Sequence, residues 1–268
     1  MKDAGKRSVL GILIDALDYE VATDRIISAA ESRRSFAATA LAVHGVMEGS
    51  RDDSLRYRLN HLDMVTPDGQ PVRWALNQLY RTKLIDRVYG PTLMLRVCEA
   101  AASRGVPIYL YGSSERTVQA LAGNLTAGFQ GLKVAGAEPS KFRRVSVEEQ
   151  REIAERIRQS GAGVLFVGLG CPRQEIFAYE YRDLIDLPIV AVGAAFDYHA
   201  GVLKEPPMWI QDRGLQWLNR LVQEPGRLWK RYLVMNTTYV ALLILQRLGL
   251  YRVDPGSARA PERELMYG

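Results

Sequence analysis

One stretch of the sequence, LDMVTPDGQPVRWALN at residues 62–77, holds an aspartate in a Pro-Asp-Gly turn between an apolar run and a predicted helix. Shape alone explains such a turn, because proline presets φ, aspartate hydrogen-bonds nearby backbone and glycine accepts a positive φ. A carboxylate placed there can also take a proton as a general base. Pro71 is expected to begin the helix, whose field favours an ionised carboxylate. Asp68 is therefore a turn residue and a candidate base.

A second loop, YLYGSSERTV at residues 109–118, places glycine and two serines between an apolar run and a predicted helix. Backbone amides at a helix start bind anions, so this loop could cradle a phosphate or a ribose. The same SSER segment could equally cap the helix and do nothing more. The candidate ligand-binding residues here are Gly112, Ser113, Ser114 and Glu115.

A third loop, VGLGCPRQE at residues 167–175, combines two glycines with Pro-Arg-Gln-Glu. The glycines permit close backbone approach, and an arginine in the first turn of a helix opposes the helix dipole, which suggests an anionic partner. Gln174 can both donate and accept hydrogen bonds, as recognition of a sugar or of uracil requires. A glycine-rich turn with a surface arginine is the alternative. The candidates are Gly168, Gly170, Pro172, Arg173 and Gln174.

The remaining polar candidates are single residues near apolar runs. His44, His61 and His199 are the three histidines, and a lone histidine beside a strand is more often a satisfied core residue than a base. Asp197, in AAFDYHAG, could orient a ligand hydroxyl or cap its loop. No loop completes G-x-G-x-x-G, which argues against a nicotinamide-dependent oxidoreductase.

The C-terminal part of the sequence carries four arginines at spacings of seven, seven and four residues, among tryptophans and leucines. One continuous helix would place them on a single stripe, but Pro225 and Gly226 are expected to interrupt it. A basic, tryptophan-rich face suits an anionic membrane surface or a diphosphate, and a solvated basic face is the alternative. The arginines are Arg213, Arg220, Arg227 and Arg231.

Apolar runs and helical segments alternate along the chain, which predicts an α/β fold with a Rossmann-like, mostly parallel sheet covered by helices. The run VLGILI, residues 9–14, is read as the first strand, and residues 252–268 as a loose tail. We predict a catalytic domain over residues 1–205 and a helical appendage over 206–268. Ligands gather at the carboxyl ends of parallel strands, so the loops above should meet there.

Composition narrows the class of protein. The 268 residues are 47% hydrophobic and 24% charged, as in ordinary globular proteins, and the net charge of +5 suits anionic ligands without requiring nucleic acid. Cys98 and Cys171 lack metal-site spacing, and a reducing, cytoplasmic setting is the simplest interpretation. Asp15 and Asp18 break the apolar N-terminal stretch, which therefore does not read as a signal peptide, and no apolar run is long enough to predict a spanning helix.

Six segments, taken in order, resemble those of the WecB/TagA/CpsF glycosyltransferases, and the resemblance covers about residues 9–248. Any one of these segments is a weak signal, but their common order is specific. The segments are TPDG (66–69), RVYGPTLM (87–94), YGSSE (111–115), VGLGCPRQE (167–175), VAVGAAFDYHAG (190–201) and GLQWLNRLVQEPGRLWKRYL (214–233).

The resemblance implies transfer of a sugar from a UDP-sugar to a polyprenyl-diphosphate-linked saccharide, in exopolysaccharide or cell-wall polymer synthesis. The reaction would invert the anomeric centre and use no metal or other cofactor. The donor sugar would be of the N-acetylmannosamine, uronic-acid or hexose type. The protein would be cytoplasmic, peripheral on the anionic inner face of the plasma membrane, and a possible homo-oligomer.

The resemblance also assigns roles to residues of this sequence. Asp68 would be the base, and Gln174 would contact a sugar. Arg87, together with Arg220, Arg227 and Arg231, would stabilise the departing diphosphate, while Asp197 and the 112–115 loop would line the nucleotide pocket.

Two positions depart from the family pattern. Ala42 stands where an asparagine is usual, so Thr39 and His44 are the candidates to replace its sugar contact. Residues 204–207 read KEPP, with Glu205 in place of a positive charge. These departures would fit altered specificity, or a nucleotide-binding subunit or regulator that keeps the fold without the chemistry.

Overall fold

The structure, a computed structural model, describes residues 1–215, 218, 221–222 and 225–268. Its strands are β1 (Asp3–Val9), β2 (Ile12–Leu17), β3 (Phe36–Leu41), β4 (Met64–Pro67), β5 (Ile108–Gly112), β6 (Val134–Glu138), β7 (Val164–Gly168) and β8 (Pro188–Ala191). Its helices are α1 (Tyr19–Glu31), α2 (Val43–Arg51), α3 (Asp53–Asn60), α4 (Gln70–Tyr80), α5 (Gly90–Arg104), α6 (Glu115–Gly128), α7 (Val147–Gln159), α8 (Arg173–Tyr181), α9 (Ala195–His199), α10 (Met208–Asp212) and α11 (Pro225–Arg247).

The central sheet has six strands in the order β4-β3-β8-β7-β5-β6, and every neighbouring pair is parallel. Its inner strands are apolar on both faces, as the buried run Val164–Val167 shows. Helices cover both faces and enclose one apolar core on each side of the sheet. The prediction of an α/β, Rossmann-like parallel sheet is confirmed.

The N-terminal segment forms an antiparallel hairpin, so the expectation of one strand over residues 9–14 is wrong. Leu10 (φ 52°) and Gly11 (φ 89°) make a two-residue turn, and Val9 faces Ile12 across it. Only glycine fits the second turn position, because a Cβ there would lie 2.6 Å from a methyl carbon of Val253. The apolar run is thus divided between β1 and β2, apart from the six-stranded sheet.

Helices follow β3 and β8 after short turns. In ALAVHGVME, β3 ends at Leu41 and α2 begins at Val43, and in AAFDYHAG the short helix α9 spans Ala195–His199. Gly45 lets α2 pack closely on the strand, because a Cβ there would lie 2.3 Å from Cδ1 of Leu41. The loop expected around Asp197 is therefore a short helix.

Residues 252–268 are packed on the α/β core, so the expectation of a loose tail is wrong. The Glu180 carboxylate of α8 pairs with Arg58 at 2.8 Å, and each of these two side chains is only 1% exposed. The backbone amides of Leu265 and Met266 donate to the same carboxylate, each at 2.9 Å. A Pro- and charge-rich composition suggested disorder, but these amides supply donors that a buried carboxylate requires.

The appendage contributes α10 and α11. Helix α11 begins at Pro225, a favoured first position for proline. Its Met235 and Tyr239 side chains are buried against the core, and Gln246 hydrogen-bonds the hairpin backbone at Leu10 and Ser8. In the described part of the chain, no helix combines the length and apolarity that crossing a membrane requires. A domain boundary at residue 205 stays a prediction.

Candidate active site

The carboxyl ends of the central strands open into one cavity of about 1040 Å³, whose outer wall is made by α4 and α11. Loops after β3, β4, β5, β7 and β8 all reach it, because parallel strands end at the same edge of a sheet. Of the residues singled out from the sequence, those that line it are His44, Asp68, Arg87, Ser113, Gly168, Gly170, Arg173, Gln174 and Asp197.

Asp68 follows β4 and stands beside the starts of two helices. Its Oδ1 accepts a hydrogen bond from the N–H of Gly90, the first residue of α5, at 2.7 Å, and α4 begins two residues after it. Both helix N-termini favour a negative charge at this point. A Cβ at Gly90 would lie 3.1 Å from the Val192 carbonyl oxygen, so this close approach requires glycine. The turn and the helix starts together hold a carboxylate at the cavity wall.

Arg87 places a buried cation in the same wall. Its side chain lies over the Tyr89 ring, 4.2 Å from the centroid, and its Nη2 donates to Oε1 of Gln211 at 3.2 Å. Gln211 belongs to α10 and donates in turn to the Pro206 carbonyl at 2.8 Å. The appendage therefore contacts the arginine directly, and the fixed guanidinium can stabilise negative charge that develops in the cavity.

Tyr89 and Tyr198 line the cavity but were not singled out from the sequence. Burial raises the pKa of the Tyr89 phenol, and the nearby Tyr198 and Asp68 add to the rise. The phenol therefore stays neutral and can donate a hydrogen bond at neutral pH. Tyr89 follows Arg87 by two residues in RVYG, and that spacing was the available signal.

In the loop after β5, only Ser113 of the four predicted residues lines the cavity. Ser113 has a left-handed backbone (φ 56°), and its N–H donates to the Gly168 carbonyl at 3.0 Å. Gly112 (φ 131°) packs on β7, where a Cβ would lie 2.5 Å from that same oxygen. Ser114 caps α6 by accepting from the Thr117 amide, and the exposed Glu115 accepts from Gln119. These two side chains thus serve the helix.

The loop after β7 brings Gly168, Gly170 and Arg173 to the cavity, and Pro172 precedes α8 without lining it. Gly168 is enclosed, because a Cβ there would lie 2.6 Å from the Phe196 ring of α9. Close packing of α9 on β7 therefore depends on this glycine.

Thr39 lies behind the cavity wall. It is 1% exposed, and its hydroxyl donates to Oε1 of Glu175 at 3.0 Å, where the Gln174 Nε2 also donates at 2.9 Å. Burial raises the pKa of the Glu175 carboxyl above its ordinary value. Sequence reasoning passed over Glu175 and expected Thr39 to meet a sugar, whereas the structure pairs the two.

The histidines have separate surroundings. His44 is half-buried at the cavity wall, with Nδ1 3.4 Å from the Met235 sulfur. His61 stacks on Tyr57 away from the cavity, and His199 hydrogen-bonds the Pro91 carbonyl at 3.0 Å. His44 is therefore the histidine placed for contact with a ligand.

The arginine stripe falls largely outside the described structure. Arg220 lies outside the described residues, and the side chains of Arg227 and Arg231 are likewise not described, although α11 includes both positions. Arg213 follows α10 and lies 5.9 Å over the Trp209 ring. The assignment of Arg220, Arg227 and Arg231 to the departing diphosphate stays a prediction.

Comparison with known proteins shows the family to which the chain belongs. Residues 7–253 match the family model described as the Glycosyl transferase WecG/TagA/CpsF family. The chain is 28% identical over 208 residues to an N-acetylglucosaminyldiphosphoundecaprenol N-acetyl-beta-D-mannosaminyltransferase of Bacillus spizizenii, covering 77% of this chain and 78% of the relative. A protein of the same name from Bacillus subtilis is 27% identical over 65% of this chain and 66% of its own length. The chain therefore belongs to the WecG/TagA/CpsF family and is a glycosyl transferase.

Proposed function

We propose that this enzyme transfers N-acetylmannosamine from a UDP-sugar to an N-acetylglucosaminyl-diphospho-polyprenol acceptor. The names of both relatives indicate this sugar and this acceptor. The observation that carries the proposal is the placement of Asp68 and Arg87 in one cavity at the carboxyl edge of the sheet. The cavity thus holds a fixed carboxylate and a fixed cation. The carboxylate suits removal of the acceptor hydroxyl's proton, and the cation suits the negative charge of the departing diphosphate.

In the proposed step, Asp68 takes the proton of the acceptor hydroxyl as its oxygen bonds to the anomeric carbon and the bond to the diphosphate breaks. A single displacement of this kind inverts the anomeric centre. The two helix starts stabilise the charged carboxylate and so make it a weak base. Correct placement of the acceptor hydroxyl must therefore supply much of the rate.

Arg87 is proposed to stabilise the departing UDP diphosphate without a divalent cation. Its guanidinium is buried and held by Gln211 and Tyr89, so little reorganisation is needed when charge develops beside it. Addition of EDTA should leave the rate unchanged, whereas Arg87→Lys should lower kcat because the stacked, fork-shaped group is lost. Dependence of the rate on added Mg²⁺ would contradict this part of the proposal.

The proposal extends to the anionic inner face of the plasma membrane, with residues 206–268 as the membrane-associating appendage. Helix α11 exposes the apolar side chains of Val240 and Ile244 beside the basic Arg247, and Leu248, the residue after the helix, is exposed as well. Ile244→Glu with Leu248→Glu in the full chain should reduce sedimentation with phosphatidylglycerol vesicles and leave the fold intact. Equal sedimentation of the wild-type protein and the double variant with these vesicles would contradict the assignment of the exposed α11 face to the membrane.

The decisive experiment measures UDP release with a lipid-diphosphate-linked N-acetylglucosamine across a panel of UDP-sugars. Asp68→Asn keeps the oxygen that accepts from Gly90 but removes the base, and should lower kcat by about 10²–10⁴-fold. Asp18→Asn is the matched control, because Asp18 caps α1 away from the cavity and asparagine is an equally good cap. No turnover with any donor, or an active Asp68→Asn protein, would refute the proposal.

One observation favours a second candidate, a nucleotide-binding subunit without transferase chemistry. Ala42 lines the cavity and brings no polar group to it. Calorimetric binding of UDP together with the absence of transfer would support this alternative over the first.

A further inference from the structure

Gln174 lines the cavity and carries one buried amide atom without a hydrogen-bond partner in the described part of the chain. The residue is 3% exposed, and its Oε1 has no hydrogen-bond partner among the described residues. The amide oxygen and nitrogen lie 3.1 Å and 3.3 Å from where a Cβ at Gly193 would be, and Gly193 also lines the cavity. A buried acceptor without a donor is destabilising, so a native structure that keeps one usually has a use for it.

The other end of the amide is held by Glu175, which lines the cavity beside it. Its Nε2 donates to Oε1 of Glu175 at 2.9 Å, and the same oxygen accepts from the Thr39 hydroxyl at 3.0 Å. An ionised carboxylate only accepts hydrogen bonds, and a carboxyl group protonated on Oε2 leaves Oε1 an acceptor as well. In both states the arrangement turns the amide nitrogen towards Glu175 and leaves the amide oxygen as the end of the side chain that is unpaired within the described structure.

We propose that Glu175 and Thr39 are positioning residues, which lock the Gln174 amide so that its Oε1 accepts a hydrogen bond from a hydroxyl or N–H group of a substrate. The identity of that substrate rests on the proposed function. A sugar hydroxyl, an acetamido N–H and the uracil N–H share the required chemistry. An acceptor contact changes KM for the acceptor and a contact to the UDP-sugar changes KM for the donor, while the inhibition constant of UDP changes only if the contact is to the nucleotide.

A purely structural role is the competing explanation. Thr39 lies on β3 and Glu175 on α8, so their hydrogen bond also fastens a helix to the sheet. A fastening role predicts lower stability for every variant that breaks the bond, with kcat and KM changed together or not at all. The locking role predicts that Thr39→Val raises KM for one substrate. It also predicts that Thr39→Val raises KM no further in a protein that already carries Gln174→Ala.

The kinetic test compares Thr39→Val, Thr39→Ser, Gln174→Ala and the double variant Thr39→Val/Gln174→Ala in the full chain. Gln174→Ala should raise KM for one substrate by about 10-fold, and Thr39→Val by about 3–10-fold, as for one lost hydrogen bond. Thr39→Ser should restore the wild-type KM. The double variant should be no worse than Gln174→Ala, because residues that act through one group are not additive.

Thr82→Val supplies the control for stability, since Thr82 is another buried threonine whose hydroxyl donates to Asn77 away from the cavity. It should lower the melting temperature by a similar amount and leave both KM values unchanged. Additive effects of Thr39→Val and Gln174→Ala, or a lower kcat with both KM values unchanged, would overturn the proposal.

A second measurement does not depend on transfer. In protein labelled with ¹⁵N at glutamine, one carboxamide proton of Gln174 should exchange slowly in wild type and in Thr39→Ser, and quickly in Glu175→Met, which offers no acceptor oxygen. Fast exchange in the wild-type protein would refute the lock. Slow exchange together with no turnover on any UDP-sugar would leave the lock standing and refute the proposed function alone.

Discussion

Replacing Glu180 by leucine should lower the free energy of unfolding by about 3–5 kcal/mol, because it leaves the buried Arg58 charge without its partner. The carboxylate accepts from Nε of Arg58 at 3.2 Å, from its Nη2 at 2.8 Å, and from the amides of Leu265 and Met266. Leucine accepts none of these hydrogen bonds. The loss of unfolding free energy has an upper limit, because residues 263–268 can detach and let water hydrate the guanidinium and the two amides. Even so, it is a large share of the about 5–15 kcal/mol that stabilises an ordinary domain.

The assay is urea unfolding followed by circular dichroism, with hydrogen exchange of the amides at 265 and 266 as a local probe. Glu31→Leu is the matched control, because Glu31 pairs with Arg104 at 3.2 Å but the two side chains are 47% and 44% exposed. An exposed pair of this kind contributes about 0–1 kcal/mol. The double variant Arg58→Met/Glu180→Leu should recover much of the loss, since no charge then stays buried alone. A loss below about 1 kcal/mol for Glu180→Leu, with both amides still protected, would refute the reasoning.

Three further predictions concern other parts of the molecule. In thermal unfolding, Gly168→Ala should lower the free energy of unfolding by about 1–3 kcal/mol, because the new Cβ would lie 2.6 Å from an aromatic ring of α9. Gly123→Ala, in open space on α6, should raise it by about 0.5–1 kcal/mol. Burial raises the folded-state pKa of Glu175, so the contribution of this residue to stability is full below its ordinary pKa of 4.5 and is lost as pH rises through the folded-state pKa. In urea titrations above pH 4.5, the stability of the wild-type protein should therefore fall relative to that of Glu175→Gln, by at most about 1.4 kcal/mol per pH unit. Iodoacetamide followed by mass spectrometry should modify Cys171, which lines the cavity, and spare Cys98, where burial raises the pKa to about 12.

Much of the sheet could be predicted because local signals agreed with the tertiary structure. Helix α4 begins at Gln70, one residue before the start expected at Pro71, and ends before Arg81, which adopts a left-handed backbone. The hairpin was missed because β1 and β2 share one apolar run, and only a two-residue turn, Leu10 and Gly11, both with positive φ, separates them. The docked tail was missed because its stabilising group, Glu180, is distant in sequence and gave no local signal.

The candidate site could be predicted at the level of loops but not at the level of contacts. Loops at the carboxyl edge of a parallel sheet must converge, so the cavity location of Asp68 and Gln174 followed from topology. Whether a polar side chain faces the cavity or the layer behind it depends on packing, which is why Thr39 was expected at the ligand. The part of the cavity wall that α11 supplies, with Met235 and Tyr239, could not be predicted either, because in the sequence it has the pattern of an ordinary apolar helix face.

The strand order has a consequence for how the molecule folds. Strands β5, β6 and β7 are neighbours drawn from one continuous part of the chain, but β3 joins them only through β8, where Ala37 pairs with Ile189. Contacts so distant in sequence require a large loss of chain entropy before they form, and such topologies fold slowly. Asp68 lies on the β3–β4 side of that junction and Gln174 on the β7 side. During refolding, activity should therefore return only with the β3–β8 pairing, after most of the secondary structure is in place.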